Sequence, residues 1–468
     1  MTTNLKTIQD LILKAAAAAK EETASEPTPE RPKKAKWPIQ CTVGPGLEGA
    51  IACESKVGYV NGAKGWLVYR GYDIFQLAAY STYEEVAFLL IYGKMPRTTE
   101  LNFFKEKLFN HTRMNNVVRH LMTFPVEQMS VMGALRLGAN LMRSQYSNLD
   151  MMTAIPASVD AISADEDSIA METQPHGSEH ATFEFKTKSR KSNQKSAREF
   201  NRTKGLEASI HLIAGLSCVA AAVSRIHKDM LPLEPKPGLS HAANLIYMIT
   251  GKIPTPIEER VMDISLILHA DHGMNASTFA TMVVASTLAD MYFSIGAGIS
   301  ALSGPLHGGA NEEVIRTLRK LATPQAVAPW VDKQLSQKGK ISGFGHRVYK
   351  AYDPRARILG PLAALIIQQK PELKELYATA QELEKVAMSR FGGEKKIFPN
   401  VDFYSGLVYA SLGFDDELFT PMFAASRVAG WSARVLEYME HNRIFRPRGL
   451  YIGEFNKTYE PIEKRRPI

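Results

Sequence analysis

Apolar segments of helical length, each bounded by helix start and stop signals, dominate this sequence of 468 residues. In STYEEVAFLLIYGKMP, Ser81 stands at a cap position, Glu84 and Glu85 occupy the first turn, and Gly93 and Pro96 follow the apolar stripe. The pattern recurs in EASIHLIAGLSCVAAAV, SHAANLIYMIT, PIEERVMDISLIL and NASTFATMVVASTLADMYFSIGAGISAL. Several segments have little polar face, as helices packed on all sides do. The sequence therefore predicts an all-α fold.

The composition, 45% hydrophobic and 22% charged, is typical of a soluble globular protein with one large domain or two. We identify no apolar run that predicts a membrane span and no secretory signal. Cys41, Cys53 and Cys218 lack a metal-binding spacing and indicate structural thiols in a reducing compartment. Much of the net charge of +8 lies in residues 184–204, the basic half of residues 165–205, and we interpret the whole segment 165–205 as a flexible basic insertion. A nucleic-acid or partner contact is the less favoured interpretation of that segment.

The first 73 residues differ from the rest. Residues 1–36 combine a helix pattern, LKTIQDLILKAAAAAK, with the proline-rich and charged linker EETASEPTPERPKKAKWP, and we expect a docked or fraying helix. Glycine-rich alternating pieces such as GYVNGAKGWLVYRGYD then predict a short β hairpin.

Two histidine segments carry candidate chemistry. In LILHADHGMNASTF, a metal site formed by His269, Asp271 and His272 is the weaker interpretation, because no further ligand completes the set. His269 follows an apolar run and is expected to be structural, whereas His272 lies where the helix breaks and a ligand can reach it. In SGPLHGGANEEV, His307 precedes a helix, whose positive end would keep the imidazole neutral. Packing in a turn is an equally good explanation of His307 alone.

The stretch GFGHRVYKAYDPRARIL places His346 after a glycine turn and puts Arg355 in the first turn of a helix capped by Asp353. A cation is unfavourable at that helix end, so an anionic ligand would explain Arg355. Arg427 and Arg446 suit the binding of carboxylates through paired hydrogen bonds. In NVDFYSG, Asp402 lies among apolar residues, where desolvation makes a carboxylate a stronger base.

Taken together, GLEGAIACESKVGYV, YRGYDI, SGPLHGGAN, GFGHRVYKAYDPRA, NVDFYSG and the RP pair of IFRPRGLY resemble, in order, the citrate synthase family over roughly residues 37–453. The resemblance implies a helical homodimer, with a large domain (residues 37–308 and 414–468) and a mobile small domain (residues 309–413). It implies condensation of acetyl-CoA with oxaloacetate, followed by hydrolysis of citryl-CoA to citrate and CoA in the tricarboxylic acid cycle.

The resemblance also implies residue roles. Asp402 would take a proton from the acetyl methyl, His307 would stabilise the enol or enolate, and His346 would bind and protonate the oxaloacetate carbonyl. The oxaloacetate carboxylates would be held by His272, Arg355, Arg427 and Arg446, the last supplied by the other subunit. The CoA-binding residues would be Gly343, Phe344, Gly345, Val348 and Lys350. The implied chemistry requires no metal and no cofactor, with acetyl-CoA as a substrate.

The sequence departs from the family pattern at Gly273, where a glutamate is expected, and at Arg434, where bacterial-type members usually carry histidine. Within the family, 2-methylcitrate synthase, which uses propionyl-CoA, is the alternative. A catalytically silent scaffold or nucleic-acid binder is less favoured, because the catalytic residues are intact. We expect a cytoplasmic location, with an organelle matrix as the alternative, and expect no membrane contact.

Overall fold

The computed structural model describes residues 2–29, 37–144, 191–392, 397–455, 457–459, 461 and 462. Its α-helices, in chain order, are α1 (Thr2–Glu22), α2 (Ile74–Tyr80), α3 (Tyr83–Tyr92), α4 (Thr98–Asn110), α5 (Asn115–Leu121), α6 (Val131–Ser144), α7 (Lys191–Ile226), α8 (His241–Thr250), α9 (Pro256–His269), α10 (Ala276–Ser286), α11 (Met291–Leu302), α12 (Ala310–Leu321), α13 (Val327–Ser336), α14 (Pro354–Ile367), α15 (Lys374–Ala387), α16 (Val401–Ser411) and α17 (Phe419–Tyr438). The predicted all-α fold is confirmed.

The predicted β hairpin is also present. Strands β1 (Gly58–Asn61) and β2 (Trp66–Tyr69) pair antiparallel, with Val60 opposite Leu67. A third strand, β3 (Tyr72–Asp73), extends the sheet in the order β1-β2-β3. The third strand is too short to show the alternation by which strands are recognised in a sequence.

The predicted cap of α3 is displaced by one residue. Thr82, not Ser81, is the N-cap, and its side chain accepts a hydrogen bond from the Glu85 amide at 3.3 Å. Ser81 instead ends α2, and its hydroxyl donates to the Glu85 carboxylate at 2.8 Å. Because α2 and α3 are separated by only two residues, two adjacent hydroxyl residues have different capping roles. Gly93 ends α3 in the left-handed conformation, as predicted.

Helices α7 and α17 pack together through the centre of the large helical body, where Trp431 is completely buried. The part of α7 from Lys204 to Ile226 is long and apolar enough to cross a membrane by length and composition, which corrects the prediction that no such run exists. Of that apolar window, 89% is buried inside the fold. Burial on all sides therefore accounts for its apolar character.

The predicted basic insertion of residues 165–205 is wrong over its last part. The backbone is helical from Lys191 onward, in continuity with the apolar half of α7. Lys and Arg recur there, together with Gln194, Ala197 and Glu199, and all of these residue types are good helix formers where a packed helix continues into them. Residues 165–190 lie outside the described part of the chain.

Helices α12 to α16 pack mainly on one another, with α16 against both α12 and α14 and α15 against α13. Their span matches the predicted small domain of residues 309–413, and the division into domains stays a prediction. Helix α1 packs against α2 and α9 of the larger body and also against α14. Ile8 and Ile12 are each 1% exposed, and Glu22 forms an ion pair with Arg357 of α14. The N-terminal helix is therefore docked rather than frayed.

We predict that Ile12→Ala undocks α1. Truncating a fully buried isoleucine costs about 2–5 kcal/mol, which is comparable to the free energy that holds a peripheral helix in place. Hydrogen exchange measured by mass spectrometry should show faster exchange of the α1 amides in this variant. The matched control is Leu13→Ala, because the Leu13 side chain is exposed. Equal protection of α1 in both variants would contradict the docking.

Candidate active site

One open cleft of about 2530 Å³ lies between the large helical body and helices α14 and α16. It collects residues from widely separated parts of the sequence, between Trp37 and Pro447. Its lining includes all the predicted catalytic and oxaloacetate-binding residues: His272, His307, His346, Arg355, Asp402, Arg427 and Arg446.

The segment that carries His272 is held in place by a buried ion pair of the preceding residue, Asp271. Arg434 of α17 donates to both carboxylate oxygens of Asp271, at 2.7 and 2.8 Å. The Tyr69 hydroxyl donates to the carbonyl of Asp271 at 2.8 Å and accepts from its amide at 3.1 Å. His269, at the end of α9, is fully buried with Nδ1 2.6 Å from the Ser265 carbonyl. The structural role predicted for His269 is thus confirmed.

His307 contacts the start of α10. Its Nε2 lies 3.2 Å from the backbone nitrogen of Ser277 and 2.8 Å from the Ser277 hydroxyl. Because an amide N–H can only donate, Nε2 accepts, and the proton of the neutral ring lies on Nδ1. Burial and the nearby Arg427 lower the pKa of His307 to about 4. The predicted neutral imidazole is supported, although the helix end that the ring contacts belongs to α10 and not to α12.

His346 is held in the opposite tautomer. Its Nδ1 accepts from the amides of Val348 and Tyr349, both at 3.0 Å, so a neutral ring carries its proton on Nε2. Burial lowers the pKa of His346 to about 4. Asp353 acts in the opposite direction with a smaller effect, and Arg355 acts in the same direction as burial. The His346 and His272 ring centroids are 5.2 Å apart, and the Tyr349 hydroxyl lies 3.3 Å from His272 Nε2. Two neutral imidazoles therefore line the cleft side by side.

Arg355 is buried against the cap of its own helix. The Asp353 carboxylate accepts from Arg355 Nε at 3.0 Å, Nη2 at 2.7 Å and the backbone amide at 2.9 Å. It also accepts from the amide of Val401 at 3.1 Å, at the start of α16. Burial raises the pKa of Asp353, but the Arg355 guanidinium outweighs burial and holds that pKa below its usual value. Nη1 of Arg355 has no hydrogen-bond acceptor among the described residues and is left for another one.

Arg427 differs from the other buried arginines because no carboxylate within the described residues forms an ion pair with it. The side chain is buried, and Nε donates to the His269 carbonyl at 3.1 Å. Burial, and next the neighbouring Arg355, lower the pKa of Arg427 to about 10. A buried guanidinium with an incomplete set of partners is costly unless an anion joins it. The positive charge of Arg427 therefore favours the binding of a carboxylate in the cleft.

Asp402 lies in the first turn of α16, where its amide donates to the Asn400 side chain at 3.0 Å. Burial raises the pKa of Asp402 to about 6, although Arg355 acts in the opposite direction. A carboxylate of this basicity suits proton abstraction near neutral pH.

The predicted CoA-binding residues divide into two groups. Gly345 and Val348 line the cleft. Gly343 and Phe344 lie against Phe403 beneath the turn, where a Cβ on Gly343 would come within 2.9 Å of the Phe403 ring. Lys350 is exposed, and its amide donates to the carbonyl of Gly62 at 2.9 Å. Their role in binding CoA stays a prediction.

Three positioning interactions were missed by the sequence analysis: the Asp271–Arg434 ion pair, the Ser277 contact of His307 and the Tyr349 contact of His272. Arg434 was noticed only as a departure from the pattern. The charge of Asp271 within HADHG was the available signal, because a buried acid requires a partner. Nothing in the sequence identified Arg434, which is 163 residues away, as that partner.

The comparisons with known proteins agree with this geometry. The family described as "Citrate synthase, C-terminal domain" matches residues 46–448. The chain is 39% identical to citrate synthase of Synechocystis sp. over 422 residues, covering 90% of this chain and 93% of the relative. It is 37% identical to citrate synthase of Acidithiobacillus ferridurans over 423 residues, covering 90% and 98%.

Solved structures are similar over nearly the whole chain. The crystal structure of citrate synthase from Pyrobaculum aerophilum gives a TM-score of 0.75 at 34% identity, covering 93% of this chain and 100% of that one. A ternary complex of the Thermoplasma acidophilum citrate synthase with carboxymethyl coenzyme A and oxaloacetate gives 0.74 at 31% identity, covering 91% and 100%. Fold and site thus define a helical acyltransferase. The chain belongs to the citrate synthase family.

We predict that Asp353→Asn destabilises the protein by about 3–5 kcal/mol, because it leaves the Arg355 guanidinium buried without its counter-charge. Urea unfolding should begin at a clearly lower concentration than in the wild type. The control is Asp332→Asn, which breaks an exposed pair with Arg390 and should cost at most about 1 kcal/mol. Equal shifts in the two variants would show that Asp353 is not the counter-charge of Arg355.

Proposed function

We propose that this protein condenses acetyl-CoA with oxaloacetate and then hydrolyses citryl-CoA to citrate and CoA. The observation that carries the proposal is the buried Arg427, which has no carboxylate partner among the described residues and shares a cleft with Arg355, Asp402 and three histidines. Two guanidinium groups fit a dicarboxylate, and a basic aspartate beside neutral imidazole donors fits carbon acid chemistry.

In the proposed condensation, the Asp402 carboxylate takes a proton from the methyl group of acetyl-CoA. The Nδ1–H of His307 donates to the thioester oxygen and stabilises the enol or enolate that forms. The nucleophilic carbon attacks the ketone carbon of oxaloacetate, while the Nε2–H of His346 donates to the ketone oxygen. That oxygen takes the Nε2 proton of His346 as the new carbon–carbon bond forms, and the product is citryl-CoA. The His346 ring regains a proton from solvent, and Asp402 releases the proton that it took from the methyl group.

The carboxylates of oxaloacetate would be held by Arg355 and Arg427, with His272 beside His346. Hydrolysis then adds water across the thioester of citryl-CoA, giving the third carboxylate of citrate and the CoA thiol. Because the arginines come from α14 on one side of the cleft and α17 on the other, bound oxaloacetate would draw the two sides together. This supports a binding order in which oxaloacetate comes first.

We predict oxaloacetate-dependent release of free thiol from acetyl-CoA, and a loss of about 10²–10⁴-fold in kcat in Asp402→Asn, because the amide cannot accept the proton. The assay compares acetyl-CoA with propionyl-CoA, each with and without oxaloacetate. A preference for propionyl-CoA would move the assignment to 2-methylcitrate synthase. Folded protein without thiol release from either substrate would contradict the proposal.

In the single chain, Arg446 lines an exposed part of its own cleft. We further propose that the working form is a homodimer, in which Arg446 serves the partner's cleft instead. Arg446 is exposed, unlike Arg355 and Arg427. The apolar residues that follow it are exposed as well: Leu450, Tyr451, Ile452, Phe455, Tyr459 and Ile462. A run of exposed apolar side chains is typical of a surface covered by another chain.

This arrangement predicts complementation between two weakly active variants, Asp402→Asn and Arg446→Ala. A mixed dimer has one site with an intact Asp402 and with Arg446 supplied by the other subunit. Random mixing by co-expression makes half of the dimers mixed, so activity should return to about a quarter of the wild-type value. If Arg446 acted within its own chain, the mixture would be no more active than its components.

A further inference from the structure

The turn between β1 and β2 lies against the loop that carries His346. The carbonyl of Gly62 accepts from the amides of Lys350 at 2.9 Å and Ala351 at 3.3 Å. A Cβ added to Gly62 would lie 2.0 Å from the carbonyl oxygen of Val348, and one on Gly65 would lie 2.7 Å from that of Tyr352. Backbone therefore packs on backbone here, and no side chain fits between the two segments.

The same loop backbone sets the orientation of His346. The amides that hold its Nδ1 belong to Val348 and Tyr349, the residues immediately before Lys350. A displacement of the loop at Val348 would therefore rotate or release the ring. Because the neutral ring acts through Nε2–H, its direction determines whether that proton reaches the substrate.

The other end of β1 lies against the segment that carries His272. A Cβ on Gly58 would lie 2.4 Å from the Asp271 carboxylate, and the Gly58 carbonyl accepts from Arg434 Nη2 at 3.4 Å. Between the two ends, a Cβ added to Gly273 would lie 3.6 Å from Cγ2 of Val60. One short strand thus connects the two histidine segments, whose rings are 5.2 Å apart.

We propose that the β1–β2 turn is a positioning element for catalysis, in which Gly62 fixes the His346 loop relative to His272. This inference rests on the proposed function of the cleft. In the predicted domain division, the turn belongs to the large domain and the loop to the small one.

The test is Gly62→Ala, with Gly44→Ala as the matched control. A Cβ on Gly44 would meet only Glu48, at 3.6 Å, and its φ of −92° suits alanine. We expect kcat/KM for oxaloacetate to fall about 100-fold in Gly62→Ala, as misplacement of a catalytic group by about 1 Å does, at a temperature where the variant is fully folded, and we expect its thermal midpoint to be lower. The Gly44→Ala variant should match the wild type in both measurements.

A second measurement uses the wild-type protein. Hydrogen exchange with saturating oxaloacetate should show protected amides at Lys350 and Ala351, because both donate to Gly62. The inference alone would be overturned if the wild-type protein releases thiol but Gly62→Ala has unchanged kinetics. It would also be overturned if the wild-type protein releases thiol but its Lys350 and Ala351 amides are unprotected. A wild-type protein without thiol release would instead overturn the proposed function. Should Gly62→Ala fail to fold, Gly65→Ala and the exchange measurement still decide the inference.

Discussion

The buried carboxylate of Asp353 is the interaction on which the site depends. It neutralises Arg355, caps α14 and accepts from the amide of Val401 at the start of α16. Through these contacts one side chain sets the relative positions of Arg355 and of Asp402, the residue that follows Val401 in α16. Removing either charge would leave the other buried and uncompensated, so the pair is maintained as a unit.

Burial also determines the pKa values of the titratable groups in the cleft. Desolvation raises the pKa of Asp402 to about 6 and lowers those of His307 and His346 to about 4. The same burial therefore produces a stronger base and two neutral hydrogen-bond donors. Backbone amides select the tautomers, with Nδ1–H on His307 and Nε2–H on His346. Arg427 supplies the positive charge that an anionic substrate would complete.

Local signals in the sequence were sufficient for the all-α class, for the Asp353 cap and for the candidate histidines, arginines and aspartate that line the cleft. They failed where an interaction joins distant segments. Arg434 pairs with Asp271 and Gly62 contacts Lys350. Neither pairing can be recognised from the periodicity or the composition of the sequence. His307 shows the intermediate case: its neutral state was predicted, but the helix end that it contacts was not. The polar start of α7 was misinterpreted because its composition also suits a loop.

The most direct test of this account is the pH dependence of kcat/KM for acetyl-CoA. In this account Asp402 must be ionised and the histidines must be neutral. The value of kcat/KM should therefore rise tenfold per pH unit up to the pKa of Asp402, near 6, and then stay level to pH 8. The pKa would be slightly higher when bound oxaloacetate neutralises the arginines. Acetyl-dephospho-CoA serves as the control, because the CoA 3′-phosphate titrates in the same range. A rate that falls between pH 6 and 8 would mean that an imidazolium is required, and would contradict the account.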